Sequence, residues 1–402
     1  MARQLLYISK GKMYITVGEK TRPVDSGVLA RYLERVKTSA RRNAWKTGGE
    51  GAKFTGTFDP EGSASDRVAS VSARVSSMAY AEGALYYALT VGGASGIYRK
   101  RSMTDEEEGT VLSDGDYLYG EMDIHRDRVV YTAAFAGEAH LGICDLSGGN
   151  ARMITEGESI ESSPVWSKTE PDVIYYSSAG LAQMDAEALS EERMQSLPAL
   201  LLAMAEAGRA VELGPAGIYR LDLAQGEITE IAEDPRYNYV KPQVAEDGSL
   251  YYIRRPYTEA KGTARGSCLL DLLLLPVHLL RALFGFLTIF TMKYSGTTLR
   301  SGGSAAKKKS EADLYIEGNL INAAESLRQN GGEDYPGIIP RSWELIRRTP
   351  DGREEVVRRG VLSFCLDGEG FYFSNGSYVL YHSPDGKEEK ITKADEVTFI
   401  GI

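Results

Sequence analysis

The side chains able to do chemistry are few, and their spacing defines no reaction. The four histidines, His125, His140, His278 and His382, are scattered along the chain, without the helical i, i+4 pairing that presents two imidazoles to one metal ion. No GxSxG elbow, Walker loop or strand-borne GxGxxG is present, so the usual nucleophile and phosphate cradles are missing. His125 and His140 read as surface or edge residues, not as a metal pair. The cysteines Cys144, Cys268 and Cys365 form no CxxC pair, which argues against a disulfide framework or a thiolate zinc site. Cys144 and Cys365 fall in apolar strands and read as small packing residues without a basic neighbour to activate them. Asp105–Glu108 (DEEE) has the charge of a calcium cluster but lacks alternating oxygen ligands and a central glycine; a solvated connection is the expectation. Asp145 and Asp222, each followed by Leu and a Gly-containing turn, are placed to cap turn amides. The expectation is therefore no catalytic residue, no metal and no cofactor.

The elements that must position these groups follow one repeated pattern. A strand, a Gly-, Asp- or Asn-rich turn and an aromatic strand recur at Met78–Tyr87, Met122–Tyr131, Pro164–Tyr176, Pro242–Tyr252 and Leu362–Phe373, a hairpin signal at each. A second hairpin follows at Leu141–Thr155, Ile218–Ile231, Trp343–Val357 and Tyr378–Thr392. In Ile218–Leu223 alternate residues fall on opposite faces, the period-two pattern of a strand with one buried side. Four strands per unit, with aromatic marks at Tyr87, Tyr131 and Tyr175, is the spacing of propeller blades.

The chain opens with Leu5–Ile8, Met13–Val17 and Thr21–Val24, one strand short of a unit, and finishes with a lone strand, Val397–Ile402. Pairing the two removes an open strand edge and satisfies both ends. The fold class expected is all-β: a six-bladed β-propeller closed by its N- and C-terminal strands, with helical insertions. Further blades are expected near 70–115, 120–156, 162–233, 239–358 and 361–393; a seventh would have to lie in residues 30–69. The whole of 1–402 reads as one propeller domain.

Glu161–Ser167 (ESSPVWS), Ile143–Leu146 with Gly148 and Gly149, and Ile154–Thr155 resemble the TolB-like (WD-repeat-like) propeller repeat. That resemblance implies a protein-interaction platform or the gating domain of a peptidase. Since no hydrolase domain follows the last unit in this sequence, the platform is expected. The alternative is an enzyme, or a sugar- or lipid-binding protein, with its site at the propeller axis.

Insertions interrupt the repeat. Residues 26–69 begin with Val28, Leu29, Tyr32, Leu33 and Val36 at helical spacing among Arg35, Lys37, Arg41, Arg42 and Lys46, then turn Gly- and Ser-rich, giving a basic helix and a flexible loop. Residues 184–214 carry Leu197, Leu200, Leu201 and Met204 at helical spacing, an amphipathic insertion in the fourth blade. Residues 260–335 hold an apolar run, 268–292, followed by a basic tether in the fifth blade. In it Asp271, His278, Arg281, Gly285 and Thr288 line one helical stripe. Leu272, Leu275, Leu279, Leu283, Phe284, Phe286 and Phe290 occupy the remaining circumference, and Lys307, Lys308 and Lys309 follow. Because the chain returns to the same blade and no second apolar run follows, an in-plane helix or shallow hairpin on an anionic membrane surface is expected, not a crossing. Packing against Leu197–Met204 and a helix at Leu320–Leu327, or a homo-oligomer contact, are the competing arrangements.

With 46 Lys and Arg against 56 Asp and Glu the net charge is −10, which disfavours nucleic acid as a partner. The N-terminus lacks the apolar core of a secretory signal, so a cytoplasmic body, peripheral or monotopic at the inner face of the cell membrane, is expected. The protein partner is not identified by sequence.

Overall fold

The structure, a computed structural model, describes residues 4–18, 20–48, 71–102, 108–113, 115–135, 137–183, 211–257, 313–317 and 319–402. Strands dominate, and they form small antiparallel sheets in chain order. Met1–Gly180, Pro215–Pro256 and Leu314–Ile402 make one compact unit, which contains the cores described below. Leu181–Gly214 and Tyr257–Asp313 make a second, described only at its strand ends and at Tyr257, whose hydroxyl donates to the Leu213 carbonyl at 2.6 Å.

The first sheet orders β26 (Val397–Gly401), β1 (Gln4–Ser9), β2 (Lys12–Val17) and β3 (Lys20–Val24). Leu6, Tyr7 and Ile8 pair antiparallel with Gly401, Ile400 and Phe399. The expected union of the opening and final strands is therefore present as a backbone ladder. The second sheet runs β4 (Ala73–Ala81), β5 (Ala84–Val91), β6 (Ala94–Lys100) and β7 (Glu108–Leu112). A third group comprises β8 (Leu118–His125), β9 (Arg128–Phe135), β10 (Glu138–Asp145) and the two-residue β11 (Arg152–Met153), and a fourth β12 (Ser159–Trp166), β13 (Val173–Gln183), β14 (Val211–Asp222) and β15 (Glu227–Ala232). These two groups are joined by one parallel bridge, Ala139 to Ile160, into an eight-stranded sheet. The short β11 covers only part of the edge of β10 away from β9, and there the Leu141 amide donates to Thr155 Oγ1 at 2.8 Å and Glu161 Oε2 at 3.1 Å. The next sheet is β16 (Tyr237–Val244), β17 (Leu250–Pro256), β20 (Glu344–Arg348) and β21 (Glu354–Arg359), and the last is β22 (Ser363–Asp367), β23 (Gly370–Ser374), β24 (Tyr378–His382) and β25 (Glu388–Lys393). Between β17 and β20 stand the hairpin β18 (Asp313–Ile316) and β19 (Asn319–Asn322).

Apolar side chains collect between successive groups of strands, not in one central core. Leu6, Ile8, Met13 and Ile15 pack on Val75, Met78, Leu85, Tyr87 and Leu89. Tyr86, Ala88 and Ile97 meet Tyr119, Met122, Val129 and Tyr131. Val130, Leu141 and Ile143 meet Trp166, Ile174 and Tyr176, and Ile218 and Ala232 meet Tyr239, Val244 and Tyr252. Val240, Ile253 and Leu345 meet Phe364, Phe371 and Phe373; lastly Tyr372 and Val379 meet Leu5, Tyr7, Val397 and Ile400. Each strand face alternation thus feeds a layer between two sheets.

The helix α1 (Gly27–Gly48) occupies the predicted place. Ser26 caps it, accepting from the Leu29 amide at 3.1 Å, and Val28, Leu29 and Tyr32 rest on the first apolar layer. Residues 27–48 therefore hold a helix where a seventh blade would have begun; 49–70 lie outside the described residues.

Two expectations are corrected. Glu108 is no solvated member of an acidic run: its side chain is 0% exposed and pairs with Lys100, 4% exposed, at 3.2 Å. Its Oε2 accepts from Tyr87 Oη at 2.7 Å and from the Val28 amide at 2.8 Å. The amide end of α1 and a buried ammonium together draw this carboxylate inward. The helix expected over Leu320–Leu327 begins only at Ala323: α2 (Ala323–Gln329) follows strand β19 and is capped by Asn322, which accepts from the Glu325 amide at 2.9 Å. An Asn cap stops the strand and starts the helix at one residue.

Candidate functional site

Polar chemistry concentrates on the leading strand of each group: β4, β8, β12, β16, β22 and β26. Several are interrupted at matching places by a bulge, between Val75 and Ser77, Tyr119 and Met122, Ser162 and Val165, and Val240 and Gln243. Ser163 and Lys241 take positive φ of 51° and 57° there; each precedes a proline, which removes a ladder donor and favours the break.

The bulges re-aim side chains toward the adjacent leading strand. Ser76 and Ser77 Oγ donate to the Gly120 carbonyl at 2.9 and 3.0 Å. Glu121 Oε2 accepts from Ser163 N at 2.6 Å and Oγ at 2.9 Å, and Asp123 Oδ2 accepts from the Trp166 amide at 2.8 Å. Gln243 clamps β22, donating to Phe364 O at 2.8 Å and accepting from Leu366 N at 3.0 Å. Ser363 Oγ donates to Val397 O at 2.6 Å. Lys241 Nζ uses its three donors at once, toward Glu317, Leu362 O at 3.2 Å and Thr398 O at 2.7 Å. Glu317, at the tip of the β18–β19 hairpin, also accepts from Arg255 at 3.2 Å.

The electrostatics reflect enclosure. Burial raises the Asp123 carboxyl to about 6, against the lowering effect of its amide donors and Lys168. Burial pushes the Cys365 and Cys144 thiols up to about 12, so neither supplies a thiolate near neutrality. Tyr87 is raised as well, by burial first and then by Glu108. Asp145 and Asp222 cap turns as expected: Asp145 Oδ1 accepts from the Ser147 and Gly149 amides, both at 2.8 Å, and Asp222 Oδ1 from those of Ala224 and Gln225 at 3.0 and 3.1 Å.

A polar cavity of about 440 Å³ opens among Arg74, Ser76, Glu121, Thr132, Glu317 and Thr398. A larger depression of about 670 Å³ borders Arg31, Arg35 and Arg42; its described walls belong to one helix, so they enclose nothing. Among the described residues no cluster of His, Cys, Asp and Glu has the arrangement of a metal site, and His125, His140 and His382 stand on separate strands, β8, β10 and β24. The contact residues expected from sequence, Leu272, Leu275, Leu279, Leu283, Phe284, Phe286, Phe290, Lys307, Lys308 and Lys309, lie outside the described residues, as do His278, Cys268 and the Leu197–Met204 stretch. No described helix is long and apolar enough to cross a membrane. Sequence reasoning missed Arg74, Glu121, Asp123, Lys241 and Glu317. For Lys241 the signal is Pro242, the residue that follows it inside a strand pattern.

No protein-family model and no curated protein matches the chain. Among solved structures, TolB from Acinetobacter baumannii aligns with 99% of this chain at 10% identity and a TM-score of 0.47; the alignment covers 65% of TolB, just under two thirds of its length. A nidogen/laminin complex aligns with 99% of this chain and 98% of its own, at 8% identity and a TM-score of 0.45. A puromycin-hydrolyzing peptidase of Mycobacterium tuberculosis aligns with 97% of this chain and 45% of its own, at 7% identity and a TM-score of 0.41. Among known folds, the chain resembles the TolB-like β-propellers.

Proposed function

We propose that this chain is a noncatalytic, six-bladed propeller, closed by its first and last strands, that serves as a protein-interaction platform. The carrying observation is how the acids of the leading strands are employed. Glu121 and Asp123 are each occupied in holding backbone or hydroxyl donors of the next group of strands. The ring reading draws support from apolar layers between each group and its successor, the last returning to the first. A rigid ring of this kind carries recognition on its loops and insertions.

Membrane association through 268–292 and the lysines at 307–309, with a cytoplasmic body, belongs to the same proposal and rests on the composition of that segment. Flotation with anionic vesicles tests it, comparing the whole chain with a version carrying a Gly-Ser loop in place of 265–310. Loss of lipid association in a shortened form that still melts cooperatively is the expected result. Equal flotation of both forms overturns membrane association; loss of folding supports internal packing of the segment instead, and a soluble homo-oligomer that does not float supports the third arrangement.

A second reading, a small-ligand site among the leading strands, is favoured by the polar cavity beside Arg74 and Glu121.

A further inference from the structure

The cavity lined by Arg74 and Glu121 presents two opposite charges that do not neutralise each other. The Arg74 guanidinium takes part in no ion pair or hydrogen bond among the described residues, although a carboxylate borders the same space. Of the Glu121 carboxylate, Oε2 is engaged by Ser163, while among the described residues Oε1 accepts no hydrogen bond. Glu317, the other acid bordering the cavity, has both oxygens committed to Lys241 and Arg255. One cation and one half-used anion therefore remain across about 440 Å³ of polar space, within the range of small-molecule pockets.

The Glu121 carboxylate is held before any ligand arrives, and Arg74 is anchored at its stem while its guanidinium stays exposed. The Arg74 stem lies against Gly11, where an added Cβ would come 3.2 Å from Arg74 Cγ, and the neighbouring Val75 amide donates to Gly11 O at 2.9 Å. Glu121 is fixed at both ends: its amide donates to Thr132 Oγ1 at 2.9 Å, and its carboxylate is tied to Ser163. Gly120 allows this closeness, since a Cβ there would meet Thr132 Oγ1 at 2.3 Å. The fixed Glu121 carboxylate loses little entropy on binding a cationic group, and the anchored Arg74 stem keeps a guanidinium within reach of the same ligand.

We propose that this cavity binds a small zwitterion of amino-acid size, its carboxylate on Arg74 and its ammonium on Glu121 Oε1. A single anion would leave Glu121 beside it, and a metal ion would face Arg74; only a ligand bearing both charges satisfies both walls. This deepens the small-ligand reading and is independent of the membrane segment.

The test is calorimetric titration of the full chain with the standard amino acids, with acetate and methylamine as single-charge controls. The expected result is saturable binding of at least one amino acid, with both controls about tenfold or more weaker. Arg74→Gln and Glu121→Gln should each weaken that binding about tenfold or more, the glutamine at 121 still accepting from Ser163. Should Glu121→Gln lose its cooperative melt, Arg74→Gln alone decides, because the Arg74 guanidinium makes no structural tie among the described residues. Saturation by acetate as tight as by the amino acids, unchanged binding in Arg74→Gln, or no uptake of any amino acid by cooperatively melting wild-type protein overturns the proposal. The platform and ring readings stand or fall on other measurements.

Discussion

Lys241 Nζ in β16 lies 2.7 Å from the carbonyl of Thr398 in β26, 157 residues further along the chain. The same ammonium reaches Leu362 O, ahead of β22, and Glu317 on an inserted hairpin. One side chain thus joins four separate stretches of sequence. Lys241→Met would leave two carbonyls without this donor and Glu317 with Arg255 alone. A loss of about 3 kcal/mol is expected from the unsatisfied groups, read as a lower urea midpoint at unchanged slope. A midpoint within error of wild type would mean that the bracket contributes nothing.

Removing residues 397–402 tests closure. The ladder of β1 would be left with an open edge, and Leu5, Tyr7, Tyr372 and Val379 would lose Val397 and Ile400 from their layer. Exposed edges pair with other chains. The shortened protein should unfold less cooperatively and appear as oligomers by light scattering; a monomer with an unchanged melt would rule out a stabilising role for β26.

Asp123 gives the fold a pH dependence. Its carboxyl is raised from an ordinary 3.8 to about 6 by burial, so the folded state holds more protons than the unfolded chain between those values. Stability attributable to this group is therefore greatest below the unfolded value and falls as pH rises through about 4 to 6. Asp123→Asn keeps an acceptor for the Trp166 amide and removes the buried charge. The variant should gain about 1–2 kcal/mol over wild type at pH 7 and nothing at pH 4, by chemical denaturation at each pH. An equal difference at both values would contradict the assignment.

Glu108→Gln should loosen the root of α1. The change leaves the Lys100 ammonium buried without its carboxylate, which costs about 3 kcal/mol. Adding Lys100→Met removes the buried charge and should restore part of the loss, a coupling that a double-mutant cycle reads directly. Additive effects would show that the two groups act independently.

The hairpins were legible because each one announces itself locally: Gly83 and Gly226 at turns with positive φ, then a β-branched or aromatic strand. The start of α1 was legible in Val28, Leu29 and Tyr32 for the same reason. Glu108 was not, because Glu and Asp neighbours in sequence imply water, whereas its fate is set by Lys100 and by an amide 80 residues upstream. Nor were Glu121, Asp123 and Lys241. A bulge shifts the alternation by one residue, so period-two reading assigns the following side chains to the wrong face. Pro164 and Pro242 betray the shift in β12 and β16 without saying what the broken strand will touch, and no proline marks it in β4 or β8.

The pairing of Leu6, Tyr7 and Ile8 with Gly401, Ile400 and Phe399 also imposes an order in time. During synthesis β1 emerges with its neighbours β2 and β3, yet its other partner is translated after every intervening sheet. Until then the nascent chain carries a hungry edge through the crowded exit of the ribosome, the stage at which strand edges attract the wrong company. The first sheet consequently cannot be completed before β26 has been made, and chaperone dependence should follow the delay between those two segments.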